Sequence, residues 1–145
     1  MSLELLLKKK FSKNISNNID LSNYSWFNLG GPAEYFFKPS EKNELIEFLH
    51  QNKKNNLKIT ILGAGSNTLI RDNGVKGVVI KLGPSFSKIN LIDKNIIEAG
   101  AATLDRKISD FAKENNIGNF EFLSCIPGSI GGAVIMNSGC YGNEI

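Results

Sequence analysis

The sequence predicts an α+β fold, and three observations carry that expectation. Strand-length apolar runs occur at 33–38, 58–62 and 78–82, while only two segments show helical spacing, so strands and helices do not alternate regularly. Alternating segments on either side of Asp93-Lys94-Asn95 read as a hairpin. From Pro127 to Gly142 the chain is dense in glycine, which suits loops rather than a repeating crossover unit.

Residues 1–23 read as a polar, asparagine-rich lead-in with one short apolar helix turn at Leu3–Leu7. Ala33–Lys38 is aromatic and strand-like, and Pro39 ends it. Ser40 is placed to cap a helix, with Glu41 and Glu44 in the first turn, where the helix dipole is positive. Leu45, Ile46 and Leu49 recur on one face of that helix, and His50 reads as its surface-facing end. Lys58–Leu62 is a short strand that runs straight into Gly63-Ala64-Gly65-Ser66-Asn67. Asp72-Asn73-Gly74 turns the chain, and Val78–Leu82 is a second apolar strand stopped by Gly83-Pro84. Ile89 and Leu91 alternate with polar residues, and Ile96–Ala99 returns beside them. Leu104, Ile108, Phe111 and Ala112 mark a second helix, with Thr103 as its cap and Gly118 just past its end.

The chain has 145 residues, of which 41% are hydrophobic and 21% charged, enough apolar content to bury a core. No apolar run approaches the roughly 20 residues of a membrane-spanning helix. The first residues do not have the order of a secretory signal, since Glu4 interrupts the apolar stretch and the lysines follow it. Two cysteines, Cys125 and Cys140, exclude a disulfide scaffold and show no zinc spacing, so no metal is expected and a reducing cytoplasm is the default. The net charge of +3 sits around Lys8, Lys9, Lys10 and Lys13, in what reads as a mobile N-terminal arm. With only two arginines, Arg71 and Arg106, and no basic face interleaved with aromatics, a nucleic-acid partner is not expected.

Two glycine-rich loops carry the functional signal. Gly63-Ala64-Gly65-Ser66-Asn67 lets backbone N–H groups approach anionic oxygens, with Ser66 and Asn67 as side-chain donors, which suits a pyrophosphate. It is not a dinucleotide fingerprint. Thr68 stands where the third glycine belongs, and the turn at Asp72 leaves no room for the helix that such a loop requires. Alone, the loop reads equally well as a tight strand-to-turn connection. Ile126-Pro127-Gly128-Ser129-Ile130-Gly131-Gly132 leads into the apolar segment Ala133–Asn137, where a short helix would aim free N–H groups at a second part of a ligand. The alternative for that loop is a buried turn. Two such loops in one short chain suggest a single extended ligand held at two places. On that reading a branched residue at Gly65 is expected to cut ligand affinity.

These residues resemble the flavin-dependent UDP-N-acetylenolpyruvoylglucosamine reductases, the MurB family. The resemblance runs from Tyr24 onward, on Tyr24-Ser25-Trp26-Phe27-Asn28-Leu29-Gly30-Gly31-Pro32-Ala33, Leu62–Asn67, Phe120–Ala133 and Met136–Gly142, in matching order and spacing. Cys125 stands where the family usually has glycine, and Cys140 where it usually has alanine. The resemblance implies the FAD-binding fold of the vanillyl-alcohol-oxidase (PCMH) type, two small α/β subdomains with FAD between them. It also implies noncovalent FAD and NADPH as hydride donor. The implied substrate is the enolpyruvyl ether of a UDP-sugar, reduced to UDP-N-acetylmuramate for peptidoglycan.

By the same resemblance, Gly63, Ala64, Gly65, Ser66, Asn67 and Thr68 would hold the FAD pyrophosphate. Ile126, Pro127, Gly128, Ser129 and Gly132 would line the flavin, with Asn137 and Gly139 nearby, and Tyr141 would lie at the substrate end. The family's catalytic arginine, serine and glutamate fall beyond the segment that matches Asn137–Gly142, so no catalytic residue is expected in this chain. Residues 24–145 are accordingly expected to be an incomplete FAD-binding domain without a substrate domain, inactive as a reductase by itself. A different FAD-dependent oxidoreductase of the same superfamily, or a non-catalytic flavin-binding module, are the competing readings.

Overall fold

The structure, a computed structural model, describes Phe11 and residues 13–145. The apolar turn at Leu3–Leu7 and the lysines at 8–10 lie outside the described residues. The chain divides into two compact units, one running to Gly83 and the other from Pro84 to Ile145.

The first unit holds β1 (Ile15–Asp20), β2 (Pro32–Phe37), α1 (Lys42–Asn55), β3 (Ile59–Ile61) and β4 (Val75–Ile80). They form one sheet in the order β1-β2-β4-β3, with β1 antiparallel to β2 and the other pairs parallel. Both faces are buried. Phe37, Val78 and Ile80 pack on one side with Phe11 and with Phe48 of α1, while Phe36 and Val79 pack on the other with Leu21, Leu62 and Ile70. Burial on both faces explains why β4 reads as a continuous apolar run.

Residues 15–23, read from sequence as lead-in, are part of this unit. β1 pairs along β2 from Ile15↔Phe37 to Asp20↔Pro32. Asp20 then accepts the Ser22 N–H at 2.9 Å and starts the 3-10 turn Leu21–Tyr24, whose Leu21 is fully buried.

α1 departs from its expected face and ends. Phe48, not Ile46 or Leu49, is its buried anchor; Leu45 is half-buried and the other two are exposed. The Phe48 ring lies 4.5 Å from that of Phe37 and 5.8 Å from that of Phe11, and this aromatic cluster sets which way the helix faces. Glu41 takes the N-cap position, so Ser40 lies one residue too early to cap. Instead Ser40 donates its N–H and its hydroxyl to the Glu44 carboxylate at 2.7 and 2.8 Å, and Asn14 donates at 2.7 Å. Burial raises the Glu44 carboxyl, but these bonds outweigh it and hold the group below its ordinary value. His50 is exposed in mid-helix, because α1 continues to Asn55 and ends on Asn56 in a left-handed conformation. β4 begins at Val75, earlier than the apolar run Val78–Leu82 suggests, and stops at Ile80.

The second unit contains the hairpin β5 (Ile89–Asp93) and β6 (Ile96–Ala99), α2 (Asp105–Glu114), the 3-10 turn Glu121–Cys125, α3 (Ile130–Met136), and the short pair β7 (Gly139–Cys140) and β8 (Asn143–Glu144). Ile108, Ala112, Leu123 and Ala133 are its buried apolar residues. Thr103 does not cap α2. The N-cap is Leu104, without a side-chain bond, and the Thr103 hydroxyl is buried with no partner. Past the helix end the left-handed residue is Asn116, not Gly118. Among the described residues no helix is long and apolar enough to cross a membrane, and no cluster of side chains could hold a metal ion.

Candidate functional site

The parallel pairing of β3 with β4 builds the first loop. Ile61 sits opposite Ile80, so the chain leaves β3 into Leu62 and Gly63 beside the end of β4. Lys81 follows β4, and its ammonium donates to the Gly63 carbonyl. The same ammonium lies 6.0 Å above the Tyr24 ring. Burial first, and then Lys38, lower the Lys81 pKa from its ordinary value. Sequence reading missed this residue, since only the strand pairing brings it to the loop.

Gly65 is buried with φ +81°, and a Cβ there would fall 2.0 Å from the Tyr24 carbonyl oxygen. Its own carbonyl accepts the Trp26 N–H at 3.0 Å. The Ser25 hydroxyl donates to the Thr68 carbonyl at 3.1 Å, which ties the far end of the loop to the same segment. Gly65 is therefore demanded by packing within the unit, and its substitution reports on folding before it reports on any ligand. Ala64 and Ser66 are half-buried, and Gly63 and Asn67 exposed, leaving a polar, partly open loop above a cationic side chain. A cavity of about 210 Å³ next to it is lined by Thr68, Leu69, Ile70 and Arg71 among others. That is below the range of about 300–1,000 Å³ usual for small-molecule sites.

In the second unit, the loop Ile126–Gly132 is stitched to residues 101–105. Asp105 N–H donates to the Gly128 carbonyl at 3.2 Å, Ile130 N–H to Thr103 at 2.9 Å, and Gly131 N–H to Ala101 at 3.0 Å. Two of the first N–H groups of α3 are thus spent on the protein and are not free for a ligand, as the sequence had suggested. Ser129 is buried at the N-cap of α3 without a side-chain cap bond. Gly128 also has a packing reason, since a Cβ there would lie 2.5 Å from an Asp105 carboxylate oxygen. Gly132 differs: a Cβ would meet only the Ser129 hydroxyl, at 3.6 Å. Ile126 is half-buried and Pro127 exposed.

Asp105 is the second residue that sequence reading missed. Its carboxyl is fully buried under this loop, neither oxygen has a hydrogen-bond partner, and burial pushes its pKa up to about 6. No spacing rule marks it; only its burial does.

Beyond α3, Asn137 takes a left-handed conformation as the helix C-cap and donates to Glu144 at 3.0 Å. Gly139 backs onto Asn143, and Tyr141 is 87% exposed with φ +53°. The residues expected to serve one ligand therefore divide by unit: Gly63–Thr68 lie in the first, and Ile126, Pro127, Gly128, Ser129, Gly132, Asn137, Gly139 and Tyr141 in the second.

A sequence-family model described as an FAD binding domain matches residues 33–145. The UDP-N-acetylenolpyruvoylglucosamine reductase of Pelagibacter ubique is 51% identical over 148 residues, covering 99% of this chain and 48% of that protein. The protein of the same name from Orientia tsutsugamushi is 50% identical over 130 residues, covering 88% of this chain and 43% of its own length. In three dimensions the chain is similar to the crystal structure of UDP-N-acetylenolpyruvylglucosamine reductase (MurB) from Thermus caldophilus. The TM-score is 0.72 at 30% identity, over 88% of this chain and 44% of that one. The chain spans about half the length of the curated relatives it matches.

Proposed function

Since the chain belongs to the FAD-binding domain family, we propose that it is the FAD-holding part of a UDP-N-acetylenolpyruvoylglucosamine reductase. In that reading NADPH is the hydride donor, the substrate is the enolpyruvyl ether of a UDP-sugar, and the product UDP-N-acetylmuramate serves peptidoglycan synthesis. The observation that carries the reading is the identity of about half of all residues to reductases of that name across nearly the whole chain. The fold likeness to a solved reductase supports it. Two free thiols accord with a cytoplasmic setting.

The donor chemistry fits FAD. An anionic pyrophosphate matches a loop whose left-handed glycine bends the backbone, with Ser66 and Asn67 at its partly open side and the Lys81 ammonium at its first carbonyl. When bound, FAD supplies the hydride-accepting and hydride-donating chemistry. The chain's own residues bind and orient. Gly63–Thr68 hold the pyrophosphate, and Lys81 offsets its charge from a half-buried position where screening is incomplete. Gly128 and Ser129 shape the loop against the flavin, and the open Cα of Gly132 allows the closest backbone approach. Asn137 and Gly139 lie near the flavin, and Tyr141 reaches toward substrate.

Fluorescence quenching of FAD titrated with the chain tests this. Saturable quenching that weakens in Asn67→Ala and Gly132→Ala is expected. A chain that is folded by circular dichroism yet quenches no FAD would refute the reading.

A further inference from the structure

The second unit holds two residues to which the FAD reading gives no role. Cys125 ends the 3-10 turn Glu121–Cys125, Cys140 ends β7, and β7 packs against that turn. They are the chain's only cysteines, and both thiols are free. Cys125 is exposed and Cys140 half-buried, and Cys125 is among the groups that act on the Cys140 thiol. We propose that Cys125 and Cys140 are a redox-active dithiol, closed by a peroxide to an intramolecular disulfide and reopened by a small-molecule thiol.

The surroundings divide the roles. Cys140's thiol is pushed up by burial first, and then by the charge and hydrogen bond of Cys125. Cys140 therefore holds its proton more tightly than a free thiol, and the exposed Cys125 is the sulfur that a peroxide in solution reaches first. Ser124 Oγ, 3.6 Å from Cys125 Sγ, gives that sulfur a further polar neighbour at the exposed face.

The Cys125 thiolate attacks one oxygen of hydrogen peroxide and the O–O bond breaks. The departing hydroxide takes up the proton that Cys125 had released and leaves as water. Cys125 is oxidised by two electrons to a sulfenic acid. The Cys140 sulfur then attacks the Cys125 sulfur, the S–S bond forms, the S–O bond breaks, and the Cys140 proton leaves with that oxygen as a second water. Two thiols and one peroxide thus give one disulfide and two waters. Two equivalents of a small thiol reverse the bond through a mixed disulfide and leave as their own disulfide. The cross-link would sit one residue before Ile126 and one residue before Tyr141. The proposal stands apart from the FAD reading, because it needs only the two thiols.

The test treats the reduced full chain with one equivalent of hydrogen peroxide, blocks remaining thiols with N-ethylmaleimide and records intact mass. The expected product is a monomer lighter by two hydrogens, with both alkylatable thiols lost, a Cys125–Cys140 cross-linked peptide on digestion, and both thiols regained with dithiothreitol. Cys140→Ser should stop at a sulfenic acid on Cys125 that dimedone traps, and Cys125→Ser should leave the Cys140 thiol alkylatable. The proposal is overturned if the wild-type chain keeps both thiols after peroxide or cross-links only to a second chain. Equal dimedone labelling of the wild type and Cys140→Ser also overturns it.

Discussion

Replacing Gly65 by alanine is expected to destabilise the first unit whether or not FAD is present. The backbone there is left-handed, with φ +81°, and the added Cβ would fall 2.0 Å from the Tyr24 carbonyl oxygen and 3.4 Å from the Ser25 Cα. A left-handed backbone costs a residue with a Cβ about 1–2 kcal/mol. The clash is with backbone rather than a flexible side chain, so residues 24–26 must back away as a segment. Trp26 N–H, which now donates to the Gly65 carbonyl at 3.0 Å, then loses a bond worth about 0.5–1.5 kcal/mol. Together these come to roughly 1.5–3.5 kcal/mol, a large share of the 5–15 kcal/mol that holds a typical domain folded. With a urea dependence of about 2 kcal/mol per molar, the unfolding midpoint should fall by about 1–2 M. Urea unfolding without FAD, followed by fluorescence of the single tryptophan, Trp26, and by circular dichroism, measures it. A Gly65→Ala chain with the wild-type midpoint would refute the packing argument and return Gly65 to the list of pure ligand contacts.

Three other substitutions separate binding from folding. Gly132→Ala has room for its methyl and gains up to about 1 kcal/mol of helix propensity in α3, so its midpoint should hold or rise while the FAD dissociation constant rises about tenfold; unchanged affinity by quenching titration would remove Gly132 from the site. Lys81→Met should weaken FAD binding by about tenfold and flatten its dependence on salt, which titrations at two ionic strengths would show. Asp105 has a raised folded pKa, so its proton is held more tightly in the folded than in the unfolded chain between the ordinary carboxyl value of 3.8 and about 6. Its contribution to stability therefore falls as pH rises through that window, by roughly 2–3 kcal/mol at pH 7. Asp20 and Glu44 titrate with the opposite sign, because their lowered pKa values favour the folded state at higher pH. The difference between wild type and Asp105→Asn in urea melts at pH 5 and pH 7.5 isolates Asp105; an equal gap at both pH values would contradict its burial as the cause.

The elements legible in the sequence were those whose signal is local. β2, β3 and the β5–β6 hairpin announce themselves by apolar runs or by alternation around a turn, and the structure places them within a residue or two of the expected bounds. β1 does not, because Ile-Ser-Asn-Asn-Ile-Asp carries two apolar residues and a left-handed Asn18. It is an edge strand whose existence depends on the backbone of β2, twelve positions further on at the nearer end of the pair, Asp20↔Pro32, rather than on its own side chains. The face of α1 was misread for the same reason. Leu45, Ile46 and Leu49 have helical spacing, but the rings of Phe37 and Phe11 lie far away in sequence and select Phe48.

The same limit governs the site. A glycine that makes room for a ligand and one that makes room for the protein look alike in sequence, and the two loops contain both kinds. The space beside Gly65 is filled by the Tyr24 carbonyl and that beside Gly128 by the Asp105 carboxylate, while Gly132 stays open. Motif spacing therefore located the loops without saying which of their glycines face outward. The charged residues were harder still, because neither Lys81 nor Asp105 belongs to a glycine motif. Once β3 and β4 are paired in parallel with Ile61 opposite Ile80, however, the residue after β4 must fall beside the residues after β3. The signal for Lys81 is thus an apolar strand ending in lysine next to an apolar strand ending in a glycine loop. Each half is weak alone, and together they put a cation where a pyrophosphate loop needs one. Asp105 has no such register to betray it. It is found only when the loop Ile126–Gly132 is folded over the first turn of α2, and its raised pKa follows from that burial.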